Sequence, residues 1–388
     1  MRPSIGRKKL YFTLAALFFV LQIFQLFRFL VGHPGSKVHN LKYFTWETPG
    51  FAYFNNQFIL HLASAVHNPL PSRKLLSPGI TCPAIRGVQE TQVIPITDVF
   101  EARGLQALGY ETNLQRWSDP AAKEAATRRV DYYTDITEGP DLIIEAKAHT
   151  ESYWQWSAIR FVLEFFVLPW TPSRWRSAAH HFQLTQPLQQ CVDSIIPDIV
   201  PNAIAMHLRM WPSDLSFGQN DACYHGEVPI LKYIFSKCEW TGLYLYENVL
   251  RVQESNRQPV IIATDDWDHP AVIDLIHRLG SRAHFMEMTE TCTSSIGNAH
   301  PPEEIQWRTA TYWPIIEAAT LVQAEAFIGS FWSTFSQLIA VRRRRAHRTF
   351  FVQHKAQELV WQNRWLLTLG LAGVLVWVVV RVSRRLHR

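Results

Sequence analysis

The sequence predicts an α/β chain whose second half is a Rossmann-type domain, and three observations carry that reading. Short continuous apolar runs alternate with helical patterns from residue 201 to 363: AIAM at 203–206, VIIA at 260–263, AFIG at 326–329 and TFFV at 349–352. Runs of this length suit strands buried on both faces. The segments between them suit crossover helices, which implies parallel pairing with right-handed connections. Three of the runs also end in ligand-capable groups: His207 and Arg209, Thr264 and Asp265, Gly329 and Ser330. At the carboxyl ends of parallel strands, such side chains face the crevice where ligands bind.

The chain has 388 residues, 47% hydrophobic and 18% charged, enough for one large or two ordinary domains. Its formal charge of +5 comes from the two ends. Without Arg2, Arg7, Lys8, Lys9, Arg381, Arg384, Arg385 and Arg388 the remainder stands at −3, so no nucleic-acid partner is indicated. Both basic clusters flank apolar segments, at 10–27 and 365–380. The first is long enough to cross a bilayer and lacks a small-residue cleavage site, which favours an uncleaved anchor over a signal peptide. The second is apolar on every face and followed at once by arginines, which favours a membrane exit over a buried helix. Basic flanks mark the cytosolic side, so both termini are expected in the cytosol and the body in the secretory lumen. The expected division is a basic tail and anchor at 1–32, an α/β domain at 33–200, a nucleotide-binding domain at 201–358, and a second span with its tail at 359–388. Cys82, Cys191, Cys223, Cys238 and Cys292 lack C-x-x-C spacing, which excludes a zinc or thioredoxin-type motif and fits one or two disulfides with a spare thiol. No N-x-S/T acceptor occurs, unusual for a luminal domain.

In the first half, 41–46 reads as a strand, 47–52 as a turn and 54–66 as a helix, the opening unit of an α/β domain. Prolines interrupt 68–118, where only 93–96 reads as a strand. The patterns then predict a helix at 121–129, a strand at 141–146, a buried helix at 154–168 and a helix at 187–200. In the second half, 269–279, 313–324 and 334–341 read as helices and 283–288 as a strand. The arginine run 342–345 reads as a solvated helix end, favoured by the helix dipole.

Arg209 offers a planar fork of donors that holds a phosphate in two hydrogen bonds. Ser333, Thr334, Phe335 and Ser336 open a helix, where hydroxyls and unpaired amides cradle an anion, although Ser333 and Thr334 also suit plain N-capping. No dinucleotide-binding or P-loop glycine motif is present.

FNNQ at 54–57, HLR with Asp214 at 207–214, IIATDD at 261–266 and FIGSFWSTFS at 327–336 occur in the order and spacing of the GDP-fucose protein O-fucosyltransferase family. The chain resembles its fungal membrane-anchored members over about 41–352. The resemblance implies two Rossmann-like domains of GT-B type facing a cleft, with transfer of fucose from GDP-fucose to a hydroxyl of a protein or glycan. It implies inversion at the sugar and no cofactor or metal, with GDP-fucose as donor substrate. By the same resemblance Arg209 stabilises the departing diphosphate and Asn56 lies near the fucose and β-phosphate. His207, Asp265, Ser333, Thr334 and Phe335 line the nucleotide, and Glu317 pairs with guanine. The chain departs from the family in its first loop, where Ala52, Tyr53 and Asn55 replace a glycine-rich stretch, and at Met210, where a second arginine is often found. No residue stands out as the base. These departures leave open a non-catalytic binding or scaffold protein, or a transferase of another nucleotide sugar. Asp266 and Asp268 also fit the paired metal ligands of a GT-A transferase, the lesser reading. The location implied is a Golgi or endoplasmic-reticulum membrane.

Overall fold

The computed structural model describes residues 42–47, 54–81, 93–112, 127–132, 135–147, 153–167, 172–210, 241–330 and 333–352. Its first half contains β1 (Tyr43–Trp46), β2 (Lys74–Leu75), β3 (Ile80–Thr81), β4 (Val93–Ile94), β5 (Thr127–Val130) and β6 (Ile143–Ala146). A parallel sheet of order β2-β1-β6-β5 is accompanied by the antiparallel pair β3-β4. Its longer helices are α1 (Phe54–Val66), α2 (Tyr153–Phe161), α3 (Pro172–His181) and α4 (Gln186–Ser194), with short helical turns at Ile96–Val99 and Ala102–Ala107.

The second half follows the expected alternation. It runs β7 (Ile204–Leu208), α5 (Gly242–Val252), β8 (Val260–Thr264), α6 (Pro270–Leu279), β9 (Ala283–His284), α7 (Glu290–Ala299), α8 (Pro302–Gln323), β10 (Ala326–Ser330), α9 (Thr334–Arg342) and β11 (Thr349–Val352). The strands lie in the order β11-β10-β7-β8-β9, all parallel. The chain winds one way from β7 to β9, then returns to place β10 on the other side of β7. The switch point of this doubly wound sheet is therefore the gap between β7 and β10. Alternate residues of β7 face opposite layers: Ile204, Met206 and Leu208 pack with Leu245, Val249, Val272 and Leu275 of α5 and α6. Ala205 joins Phe327, Leu338 and Ile339 in a core that also includes Phe44, Phe58 and Trp175 of the first half. One apolar cluster thus runs through both halves.

Several expected elements differ, each for a non-local reason. Residues 127–129, expected in a helix, belong to β5, because pairing with β6 overrides local preference. The helix expected at 154–168 changes to a π-helix over Val162–Val167, and there Glu164 accepts from Trp175 Nε1 at 3.1 Å and meets His67 Nε2 at 2.5 Å. The helix expected at 187–200 stops at Ser194; Pro197 disfavours helical backbone at Ile196, whose φ is 38°. The strand expected at 283–288 shortens to the two residues that pair with β8, after which Met286 and Met288 turn onto the core. Helix α8 begins well before 313 and passes through Pro314. The carbonyl of Ala310, which loses its partner there, lies on the helix's exposed stripe, within reach of water. The arginine run is not a solvated end: Arg343 is wholly buried. Helices α3, α5 and α7 are not among the elements expected from the sequence, although Leu245, Val249 and Val252 of α5 follow helical spacing.

Cys191 of α4 and Cys292 of α7 form a disulfide closing a separation of 101 residues and tying the first half to the second. Replacing both by serine is expected to lower stability by about 2–4 kcal/mol through the freed chain entropy. The urea midpoint of the double variant against wild type measures this; an unchanged midpoint contradicts it. Among the described residues no helix is long and apolar enough to cross a membrane. The spans expected at 10–27 and 365–380 lie outside those residues, as do Asp214, Ala52, Tyr53 and the remaining cysteines.

Candidate functional site at the sheet switch point

The carboxyl ends of β7, β8 and β10 bring together most of the residues singled out in the sequence. His207 pairs in register with Gly329 of β10 on one side and with Ala263 of β8 on the other. Just beyond, Arg209 Nη1 lies 2.9 Å from Asp265 Oδ2, both side chains half-buried. The Met210 N–H donates to Asp265 Oδ1 at 2.6 Å. Asp265 thus grips the turn after β7 from the end of β8 and aims the guanidinium.

On the other side of the switch point, Ser330 stitches β10 to β7. Its hydroxyl accepts from the Arg209 N–H at 2.9 Å and donates to the His207 carbonyl at 3.2 Å. The Ser330 N–H donates to Ser336 Oγ at 2.9 Å, and that oxygen lies 2.7 Å from His207 Nδ1. The His207 ring stacks obliquely on Phe335, with centroids 4.5 Å apart. His207, Phe335 and Ser336 are all buried, so in this structure the histidine holds α9 against β7. Gly329 permits the close approach. A Cβ there would stand 2.8 Å from Ser336 Cβ and 2.7 Å from the Phe327 ring, nearer than side chains tolerate. The part played by Ser336 escaped the sequence reading, although its place six residues after Ser330 in FIGSFWSTFS was a usable signal.

Ser333 and Thr334 open α9 directly above this network. Ser333 occupies the N-cap position with extended backbone, yet its side chain makes no capping bond. The hydroxyl and the first-turn amides of α9 therefore remain as donors at the positive end of a helix. Arg209 follows β7, the neighbour of β10, so a guanidinium, a hydroxyl and a helix start share this edge of the sheet, a combination suited to an anion.

Two of the expected residues stand apart. Asn56 lies in the first turn of α1, and its carboxamide oxygen is buried without a hydrogen-bond partner. Glu317 lies at the middle of α8, half-buried, and burial raises its carboxyl to about 7. Among the described residues, neither is joined to the Arg209 cluster by a hydrogen bond or ion pair. Because Glu317 holds its proton more tightly when folded, its stabilising contribution is complete below about pH 4.5 and is lost as pH rises through about 7. Glu317→Gln is expected to stabilise the protein by on the order of 2 kcal/mol at pH 8 and by nothing measurable at pH 4.5. Urea unfolding at the two pH values tests this, and equal effects at both would contradict it.

Asp266 and Asp268 form a tight turn rather than a paired site: the Asp268 N–H donates to Asp266 Oδ1 at 3.2 Å. No group of three or more potential metal ligands is found among the described residues. Beside this turn Trp267 meets Phe285 edge-on, centroids 5.3 Å apart, both exposed.

Fold and site together define a doubly wound, parallel α/β protein with Arg209 and the start of α9 at its switch point. The chain is similar to the crystal structure of POFUT1 in complex with GDP, at 13% identity and a TM-score of 0.47 over 80% of this chain and 98% of that one. It is also similar to a mutant of Arabidopsis thaliana FUT1 in complex with GDP, at 12% identity and a TM-score of 0.42 over 79% of this chain and 70% of that one. A third similar structure is NodZ alpha-1,6-fucosyltransferase soaked with GDP-fucose, at 12% identity and a TM-score of 0.38 over 78% of this chain and 93% of that one. No family profile and no curated protein matches the chain.

Proposed function

We propose that this chain is a glycosyltransferase of GT-B type that moves fucose from GDP-fucose to a hydroxyl of a protein or glycan. The observation that carries the reading is Arg209, held by Asp265 at the switch-point edge of the sheet that also carries the start of α9, where the N-cap side chain makes no capping bond. This arrangement suits a diphosphate whose charge grows as a glycosidic bond breaks. In the reaction, the acceptor oxygen forms a bond to the anomeric carbon while the bond to the β-phosphate oxygen breaks. The electron pair leaves with GDP, and the acceptor proton passes to solvent or to a base. Attack from the face opposite the departing diphosphate inverts the sugar. The guanidinium, the helix dipole and the Ser333 hydroxyl neutralise the leaving group without a metal. Asn56 contributes its unsatisfied carboxamide oxygen near the donor sugar, and Glu317 accepts from the guanine N–H groups.

The protein is further proposed to be anchored in the Golgi or endoplasmic-reticulum membrane, with its body in the lumen and both termini cytosolic. The Cys191–Cys292 disulfide and the two charge-flanked apolar segments support that placement. Calorimetry on the full-length protein in detergent tests the donor site: saturable GDP binding is expected, and its absence would end this reading. GDP release from GDP-fucose with acceptor, compared with GDP-mannose and repeated in a chelator, tests the sugar, the turnover and the metal independence.

A further inference from the structure

The arginine run is divided by the fold into different tasks. Arg343 is buried and Arg345 pairs with Glu325. Arg344 is exposed. Arg342 folds back over the Phe58 ring, 5.9 Å from its centroid, and donates from Nη2 to the Phe182 carbonyl at 3.3 Å. Its Nη1 is buried without a partner. Arg342 and Arg344 line a cavity of about 740 Å³ together with His180. That volume lies in the range of sites that enclose a small ligand.

This cavity is remote from the Arg209 crevice. Val322 and Ala324, which line it, precede β10, whereas Ser330 ends β10. The five-residue strand between them spans about 16 Å at 3.3 Å per residue. The cavity also lies where the halves meet, with α3 and α4 on one side and the ends of α8 and α9 on the other.

Its lining is polarised. On one wall the positive groups reinforce each other: the His180 imidazole is pushed below its ordinary value, first by burial and then by the fields of Arg344 and Arg342. Among the described residues no carboxylate forms an ion pair with Arg342 or Arg344. The rest of the cavity presents the carboxamides of Gln183 and Gln190 with the exposed Glu101 and Asp193, groups that exchange hydrogen bonds with hydroxyls. A neighbouring cavity of about 640 Å³ shares Gln186 and Gln190 and continues the polar surface with Glu290, Ser294 and Asn298. Arg342 Nη1 is buried without an acceptor behind this wall, so its charge is uncompensated, a surrounding that favours an oxyanion beside it.

We infer that this cavity is a second ligand site, separate from the Arg209 crevice, that takes a saccharide carrying a phosphate or sulfate ester. The ester oxygens bind Arg342 and Arg344, and the ring hydroxyls bind the carboxamide wall. Glucose 6-phosphate, glucose 6-sulfate and glucose, titrated by calorimetry into the full-length protein in detergent, test the assignment. At least one ester is expected to bind saturably to wild type and equally to Arg209→Ala, and glucose at least tenfold more weakly. Whichever ester binds more tightly identifies the group. Arg344→Glu, at an exposed position that leaves the melting temperature unchanged, is expected to weaken binding at least tenfold, and Arg342→Gln to do the same. Absence of binding by both esters, equal binding of glucose, no effect of Arg344→Glu, or loss of binding in Arg209→Ala would each overturn the inference.

Discussion

Arg209→Ala is expected to lower the turnover of fucose transfer by about 10²–10³-fold, a loss of roughly 3–4 kcal/mol of transition-state stabilisation. The magnitude follows from position. The guanidinium stands at the switch point, held by Asp265 at 2.9 Å, where the proposed reaction would bring charge that grows as the sugar–phosphate bond breaks. An interaction made more strongly in the transition state than in the ground state appears in kcat as well as in kcat/KM. The fold is expected to survive, since the side chain is half-exposed and the local backbone is held independently by Ser330 and by the Asp265 bond to the Met210 amide. Arg209→Lys keeps the charge but loses the planar fork, so it should recover only part of the activity. The measurement is initial-rate GDP release with melting temperatures as control. Wild-type rates in Arg209→Ala would remove the basis of the enzymatic reading.

The largest expected loss of stability outside the site comes from Arg343. Its side chain is wholly buried, yet no carboxylate partner is found among the described residues. Nη1 donates to the carbonyls of Leu321, Val322 and Ala324 at 3.3, 3.1 and 2.9 Å, Nη2 to that of Glu325 at 3.0 Å, and Nε to Thr349 Oγ1 at 3.1 Å. Leu321 and Val322 lie in the last turn of α8, where carbonyls have no intrahelical donors and the helix dipole is negative. Arg343 therefore closes that helix from the end of α9 and fastens it to β11. Burial, and secondarily the field of Arg348, hold its guanidinium down to about 10, still charged at neutral pH. Arg343→Met removes the donors and strands several buried carbonyls, which is expected to cost about 3–5 kcal/mol. Lysine, with one ammonium in place of a fork, should recover a minor part. Urea unfolding decides it, and a loss below about 1 kcal/mol would show that water reaches those carbonyls.

Both cases mark where sequence reading succeeds and where it stops. The strands of the second half were legible because each is a short apolar run with its own punctuation, and β7, β8, β10 and β11 lie within a residue or two of their expected places. The chemistry at their ends was legible for the same reason: HLR, ATD and FIGS each pair a run with the residues that terminate it. Helix α7 was not, because its only capping signal is Thr289 and its buried face is little more than Cys292 and Ile296. The arginine run misled, since four adjacent charges look solvated until one is seen to meet a helix end 18–22 residues upstream. Glu317 was identifiable as a carboxylate on a helix, but its elevated pKa arises from burial that no local pattern carries.

By itself the sequence determined the α/β character, the alternation of the second half, and the identity of the groups waiting at the strand ends, all properties set within a few residues of one another. Tertiary structure alone decided that β10 crosses back to lie beside β7. That return brings Ser330 to Arg209 across 121 residues and Ser336 to His207 across 129. It also decided which two cysteines join and which arginine is buried. The physical reason is that strand order, pairing and burial depend on which distant surfaces exclude water together, whereas periodicity and strand-end chemistry are written in neighbouring residues.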